Sequence, residues 1–290
     1  MDFDAYDLDG DIYDEMFLSD DTPREQCRQL YETLSRLSAE ELGTIQERVT
    51  RSFSNEGITF TVYGDDEADE RIIPIDCLPR VLSGAEWRQL EAGLTQRLKA
   101  LNLFLEDVYG DAQIIADGVI PVDVVRGCPQ YRIEMRGFSA PHGTWVGICG
   151  TDLVRTNDGF MVLEDNLRVP SGVSYMLANR KAVKASLRRL YRSSRVQEVE
   201  HYGRLLLETL RELAPPERDD PCIALLTPGV YNSAFYEHMF LAGQLGAELV
   251  EGRDLLVNDG FVYMRTTTGL RRVDVIYRRV DDDFLDPLVF

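Results

Sequence analysis

The chain has 290 residues, enough for one large domain or two ordinary ones, and a chain of that length buries roughly three quarters of its unfolded surface. Its 50 acidic residues outnumber 31 basic ones for a net charge of −19, and Lys99, Lys181 and Lys184 are its only lysines. That balance repels nucleic-acid phosphates and anionic membranes, which excludes both as general partners and leaves arginine to serve any anion site.

Five cysteines, Cys27, Cys77, Cys128, Cys149 and Cys222, show no Cys-x-x-Cys spacing. Reduced thiols in a cytoplasmic protein are therefore expected, in place of a disulfide or zinc framework. No apolar run reaches about 18 residues and the N-terminus is acidic, so neither a membrane span nor a signal peptide is expected.

Residues 1–22 hold nine Asp or Glu and no Lys or Arg, with Phe3, Tyr6, Tyr13 and Phe17 scattered among them. Such a like-charge block reads as a flexible, solvated tail. From Pro23 to Ser54 the spacing of Leu30, Leu34, Leu37, Leu42, Ile45 and Val49 predicts two helices with a break near Ser38. Gly57 to Tyr63 alternates as a strand does. Asp76 and Arg80, separated by Pro79, suggest a structural ion pair. A long helix follows, because Trp87, Leu90, Leu94, Leu98, Leu101, Leu105 and Val108 recur at steps of three and four; this stripe, Trp87 included, is expected in the core. Gly118 to Val125 and Arg132 to Met135 read as strands leading into a hairpin.

That hairpin is the most informative stretch. Two apolar runs flank Thr156-Asn157-Asp158-Gly159. A three-residue loop, Asn157 to Gly159, sets Thr156 against Phe160 and, counting back, Asp152 against Glu164. Side chains alternate faces along a strand, so Asn166 joins them while Asp165 points away. Opposed like charges repel. The pair is therefore either a solvated acidic edge or the seat of a cation, and all-oxygen donors favour Mg²⁺ over Zn²⁺. Arg155 and Arg168 flank the trio. The Pro170-Ser171-Gly172 turn offers backbone amides at a helix start, which with a guanidinium suit phosphate oxygens.

Tyr175 to Arg195 and Gln197 to Leu213 read as helices, and residues 214–221, with three prolines among charges, as a linker. Beyond it the pattern is strand (Cys222 to Leu226), turn, helix (Asn232 to Leu245), strand (Ala247 to Val250), hairpin (Phe261 to Thr268) and strand (Val273 to Tyr277). This order predicts an open parallel sheet, a Rossmann-like half. The fold class expected for the whole chain is thus α+β with an α/β part.

The strings Gly150 to Arg155, Asp158 to Tyr175, Gly57 to Gly64, Pro74 to Arg80, Leu226 to His238 and Val275 to Pro287 together resemble the circularly permuted ATP-grasp type 2 family, from about residue 12 to the end. The resemblance implies a metal-binding ATP-grasp portion at 23–213 and a Rossmann-like pre-ATP-grasp portion at 222–290. It implies ATP and Mg²⁺ as cofactors, with Asp152, Glu164 and Asn166 on the metal. Arg168 would hold the transferring phosphoryl group, and Arg155, Ser171 and Gly172 would bind the nucleotide.

The implied reaction is carboxylate–amine ligation through an acyl phosphate, on small-molecule or peptide substrates, as in glutathionylspermidine-synthase-like relatives. Asn232, Glu237, His238, Arg278 and Arg279 become substrate candidates, although a helix cap and buried ion pairs explain them equally well. Family members continue past the Asp281 to Pro287 segment into a lobe that supplies phosphate-gripping lysines and the adenine pocket. The resemblance therefore implies a C-terminally truncated representative, incomplete for ATP binding. The alternative is a non-catalytic interaction module that keeps the fold.

Overall fold

A computed structural model describes residues 3, 6, 8, 10, 12–19, 22–63, 68–230, 232–281 and 285, with the backbone alone at 61–63 and 68–70. Seven aspartates of the expected tail (Asp2, Asp4, Asp7, Asp9, Asp11, Asp20, Asp21) lie outside the described residues, as do Gly64, Tyr231 and most of the 282–287 string.

The elements run β1 (Phe17–Ser19), β2 (Thr22–Pro23), α1 (Arg28–Ser35), α2 (Ala39–Asn55), β3 (Thr59–Tyr63), β4 (Ala68–Ile72), α3 (Gly84–Tyr109), α4 (Gln113–Ala116) and α5 (Val122–Arg126). Then come β5 (Gly150–Thr156), β6 (Gly159–Asn166), α6 (Val173–Ser186), α7 (Arg188–Ser193), α8 (Tyr202–Glu212), β7 (Ile223–Leu226), α9 (Phe235–Leu245), β8 (Glu248–Val250), β9 (Leu255–Asn258), β10 (Phe261–Thr266), β11 (Gly269–Arg272) and β12 (Val275–Arg278). By contacts the chain divides into two compact units: Met1–Val81 with Ser171–Phe290, and Leu82–Pro170. No helix of the described residues is long and apolar enough to cross a membrane.

In the first unit, Ser38 caps α2 through a capping box with Glu41, which satisfies two otherwise orphaned amides and sets the break between α1 and α2. The apolar faces of these helices, Leu30, Leu34, Ile45, Val49 and Phe53, meet Ala178, Ala182 and Val183 of α6 in one buried cluster. The parallel sheet has the order β12-β7-β8, and α9 connects β7 to β8. A separate antiparallel sheet, β11-β10-β9, extends the expected hairpin by one strand.

Three expectations need correction in this unit. Phe3, Tyr6 and Phe17 of the acidic segment pack against one another and, through Phe3 and Phe17, on Tyr31 of α1, so Phe17 is buried and Phe3 partly so, while Tyr6 stays 49 % exposed. Burying a large ring outweighs keeping an acidic segment fully hydrated. Asp76 and Arg80 do not pair: Asp76 accepts from the Leu78 amide at 2.8 Å, and Arg80 pairs with Glu15. The helix expected over Tyr175 to Arg195 breaks at Leu187, which has φ −113° and ψ 46°.

In the second unit, Ser83 and Glu86 form the capping box that starts α3. Its apolar stripe is mostly half-buried. Val108 alone among the stripe residues is fully buried, and Trp87 is 46 % exposed, contrary to the core position expected for it. The other elements of this unit are a two-stranded hairpin, the short helices α4 and α5 and loops, which leave most of the stripe half-buried. The expected strands at 118–125 and 132–135 are instead turns, the short helix α5 and a 3₁₀ turn at Ile133–Met135. β-Branched runs favour strands only when a partner strand is available, and Pro121 here starts a helical turn.

Candidate functional site

The β5–β6 hairpin lies wholly within Leu82–Pro170. Its tip is tighter than expected: Thr156 pairs with Gly159, leaving a two-residue loop, Asn157 and Asp158. Gly159 has φ 125°, a conformation that favours glycine. From the tip inward the pairs run to Leu153 with Val162, and there the register shifts. Leu163 is the extra residue of a β-bulge, after which Asp152 pairs with Glu164, Thr151 with Asp165 and Gly150 with Asn166. The opposition of Asp152 and Glu164 therefore stands, reached through a shorter loop and a bulge rather than a longer loop.

The bulge divides the acids between two faces. Asp152, Glu164 and Asn166 are exposed on the outer face, and Asn166 Nδ2 donates to Glu164 Oε1 at 3.2 Å. Gly150 faces Asn166 where an added Cβ would sit 3.0 Å from the Pro170 Cβ, a tight contact that Pro170 would have to relieve by shifting. Asp165 turns inward. Its carboxylate accepts from Arg97 Nε of α3 at 2.6 Å and from Thr151 Oγ1 at 2.9 Å, and its side chain is 7 % exposed. Burial pushes the Asp165 pKa up, but the hydrogen bonds from Arg97 and Thr151 prevail and the net shift is down.

Arg155 also lies inward, 2.9 Å from Glu86 and over the Phe160 ring. Burial raises the Glu86 pKa, yet its Ser83 cap and Arg155 bring it below the ordinary glutamate value. Arg168 is exposed, two residues beyond Asn166.

Two carboxylates and a carboxamide on one exposed face offer oxygen donors of the kind that suit a hard divalent cation. Among the described residues no group of three or more His, Cys, Asp or Glu is arranged to hold a metal, so any cation here would complete its coordination with ligand or water oxygens.

The other candidate residues sit in the first unit, around a buried carboxylate. Glu237 of α9 has no solvent exposure and Arg279, just past β12, is 2 % exposed. Arg279 Nη2 donates to Glu237 Oε1 at 2.6 Å. The second oxygen accepts from Gly172 N at 2.8 Å, Ser174 N at 3.1 Å and Ser174 Oγ at 2.9 Å. A glutamate from another helix thus supplies the anion at the N-terminus of α6, where free amides and the helix dipole favour negative charge.

The Gly172 amide, considered above for phosphate, is occupied by this carboxylate, while Ser171 is exposed. His238 Nδ1 and Thr227 Oγ1 lie 2.8 Å apart; burial and the Arg279 charge lower the His238 pKa to about 4. Burial and the Glu237 charge raise the Tyr175 phenol to about 12. Asn232 is half-buried and its Oδ1 accepts from the Ala234 amide at 2.9 Å, and Arg278 is half-buried at the end of β12. Glu237 and Arg279 thus form a buried ion pair, and His238 is buried separately against Thr227, whereas Asn232 and Arg278 are only half-buried.

Sequence reasoning passed over Arg97, Thr151, the inward role of Asp165 and the pairing of Ser174 with Glu237. Thr227 immediately follows β7, at the carboxyl end of a parallel strand, where the expected Rossmann-like order places ligand sites. No sequence signal links Ser174 to Glu237, 63 residues away.

The family model for circularly permuted ATP-grasp type 2 proteins matches residues 79–290. An uncharacterized Synechocystis protein is 50 % identical over 291 residues, which cover 100 % of this chain and 60 % of that protein. An uncharacterized protein of Mycobacterium tuberculosis H37Rv is 47 % identical over 96 % of this chain and 50 % of its own length. A Frankia casuarinae protein carrying the provisional name glutamate–cysteine ligase 2-2 is 40 % identical over 94 % of this chain and 32 % of its own length.

The chain thus spans 60 % and 50 % of the length of the Synechocystis and Mycobacterium relatives. Among solved structures, a glutathione synthetase-like effector of Globodera pallida in its apo form superposes with a TM-score of 0.51 at 12 % identity, covering 86 % of this chain and 60 % of the effector. That likeness supports the mixed α and β fold. The chain belongs to the circularly permuted ATP-grasp type 2 family.

Proposed function

We propose that this chain carries the metal-binding side of an ATP-dependent carboxylate–amine ligase, with residues 23–213 as that portion, 214–221 as a linker and 222–290 as the pre-ATP-grasp portion. The observation that carries the reading is the bulged register, which gathers Asp152, Glu164 and Asn166 on one exposed face. The name of the Frankia relative supports a ligase that joins a small carboxylate to an amine. Family membership supports ATP as the energy source.

On this reading Asp152, Glu164 and Asn166 hold Mg²⁺, which when bound would neutralise phosphate charge during transfer. Arg168 reaches the transferring phosphoryl group as a bidentate donor, the role for which guanidinium is suited. The carboxylate substrate is activated as an acyl phosphate and the amine then displaces phosphate. Asn232 and Arg278, the accessible members of the C-terminal set, contact substrate. Glu237, His238 and Arg279 keep their neighbours in place. Arg155 supports the hairpin through Glu86 and Phe160, and Ser171 remains open to the nucleotide.

Calorimetric titration of ATP with and without Mg²⁺, on this chain and on Glu164→Ala, tests the reading. Any ATP affinity of the chain is expected to depend on Mg²⁺ and to weaken about tenfold or more without Glu164, the usual effect of disrupting a metal site. Equal Mg²⁺-dependent affinity in the variant would overturn it.

A further inference from the structure

The register at the tip, continued without a shift, would pair Asp152 with Leu163 and Thr151 with Glu164. In that arrangement Glu164 and Asn166 would face α3 and Asp165 would face outward, because a one-residue slip exchanges the faces of every side chain beyond it. The inner face carries Arg97, whose guanidinium would find Glu164 there instead of Asp165. Two registers therefore compete for one arginine, and only the shifted one exposes the oxygen trio.

The shifted register is the one in which an inward carboxylate is held at both oxygens. Arg97 Nε lies 2.6 Å from Asp165 Oδ2, and Thr151, the cross-strand partner of Asp165, donates to Oδ1 at 2.9 Å. Cys149 Sγ approaches the same Oδ1 at 3.8 Å. Nothing comparable holds Glu164, whose described hydrogen bond is the one from Asn166.

We propose that Asp165 is a positioning residue: by occupying Arg97 and Thr151 it selects the bulged register and keeps Glu164 and Asn166 on the face of Asp152. The register claim is independent of any metal; its consequence for cation binding rests on the function proposed above. Removing Asp165 alone leaves Arg97 to draw Glu164 inward. Removing Arg97 as well takes away that pull, so the second deletion restores what the first destroyed.

The test uses the full 290-residue chain, with cross-strand amide contacts read by NMR and Mn²⁺ broadening read at residues 152, 164 and 166. In Asp165→Val, contacts between Asp152 and Leu163 are expected to replace those between Asp152 and Glu164. The Mn²⁺ concentration needed for equal broadening should rise by about tenfold or more, the usual effect of removing a residue that orients ligands.

In Asp165→Val combined with Arg97→Met, the wild-type contacts are expected to return. Wild-type contacts in the single variant, or no recovery in the double, would overturn the proposal. Absence of broadening in the wild type, with contacts that respond as described, would overturn the metal reading and support the register claim. Should Asp165→Val not fold, Asp165→Asn, which keeps an acceptor for Thr151, is expected to show both registers; a single wild-type register there would overturn the proposal.

Discussion

The hairpin and the α9 network use the same chemical group in opposite ways. Asp152 and Glu164 pair across the hairpin and are exposed to solvent, whereas Glu237 is fully buried and holds Arg279, two amides and a hydroxyl. A buried carboxylate must be satisfied at every lone pair or the fold suffers; an exposed pair can stay unsatisfied because water screens it. The contrast separates carboxylates that serve the fold from those left available to a ligand.

Removing the buried member should produce the largest effect. Glu237→Ala strands the Arg279 charge and three donors inside the protein, and is expected to cost about 3–5 kcal/mol in denaturant unfolding. A loss under about 1 kcal/mol would erase the distinction between the two regions.

The next effect comes from pH. His238 has its folded pKa lowered from 6.5 to about 4. Between those values the unfolded chain binds the proton and the folded one does not, so stability is intact above pH 6.5 and falls as pH drops toward 4. The total is on the order of 3 kcal/mol. Unfolding measured from about pH 7 down to 5, before most carboxylates titrate, should show that slope in the wild type and lose it in His238→Gln.

The smallest effect belongs to the hairpin. Glu164→Gln removes a cross-strand repulsion and should change stability by less than about 0.5 kcal/mol, in the stabilising direction. A loss of several kcal/mol in thermal unfolding would mean that Glu164 belongs to the fold as Glu237 does.

Much of this was legible in local sequence. The Ser38 and Ser83 capping boxes, the periodicity of α2 and α3, the Asp-Gly hairpin tip and the strand-turn-helix order after residue 221 all depend on residues within a few positions of one another. Failures came where local preference was balanced. The Val-rich run before Cys128 has strand propensity but no partner strand, so it became α5. The leucine stripe of α3 correctly marked a helix but not how deeply it would be buried. The hairpin shows how a correct pairing can rest on an incorrect loop: tip length and bulge offset each other by one residue, and loop counting sees only their sum.

Sequence alone therefore determined most element types and the family strings, because periodicity and turn chemistry act at short range. Tertiary structure decided which charges became buried. Glu237 meets Gly172 from 65 residues away, and Arg97 meets Asp165 from 68. At such separations the outcome is set by which oxygens packing removes from water, and no local pattern records that.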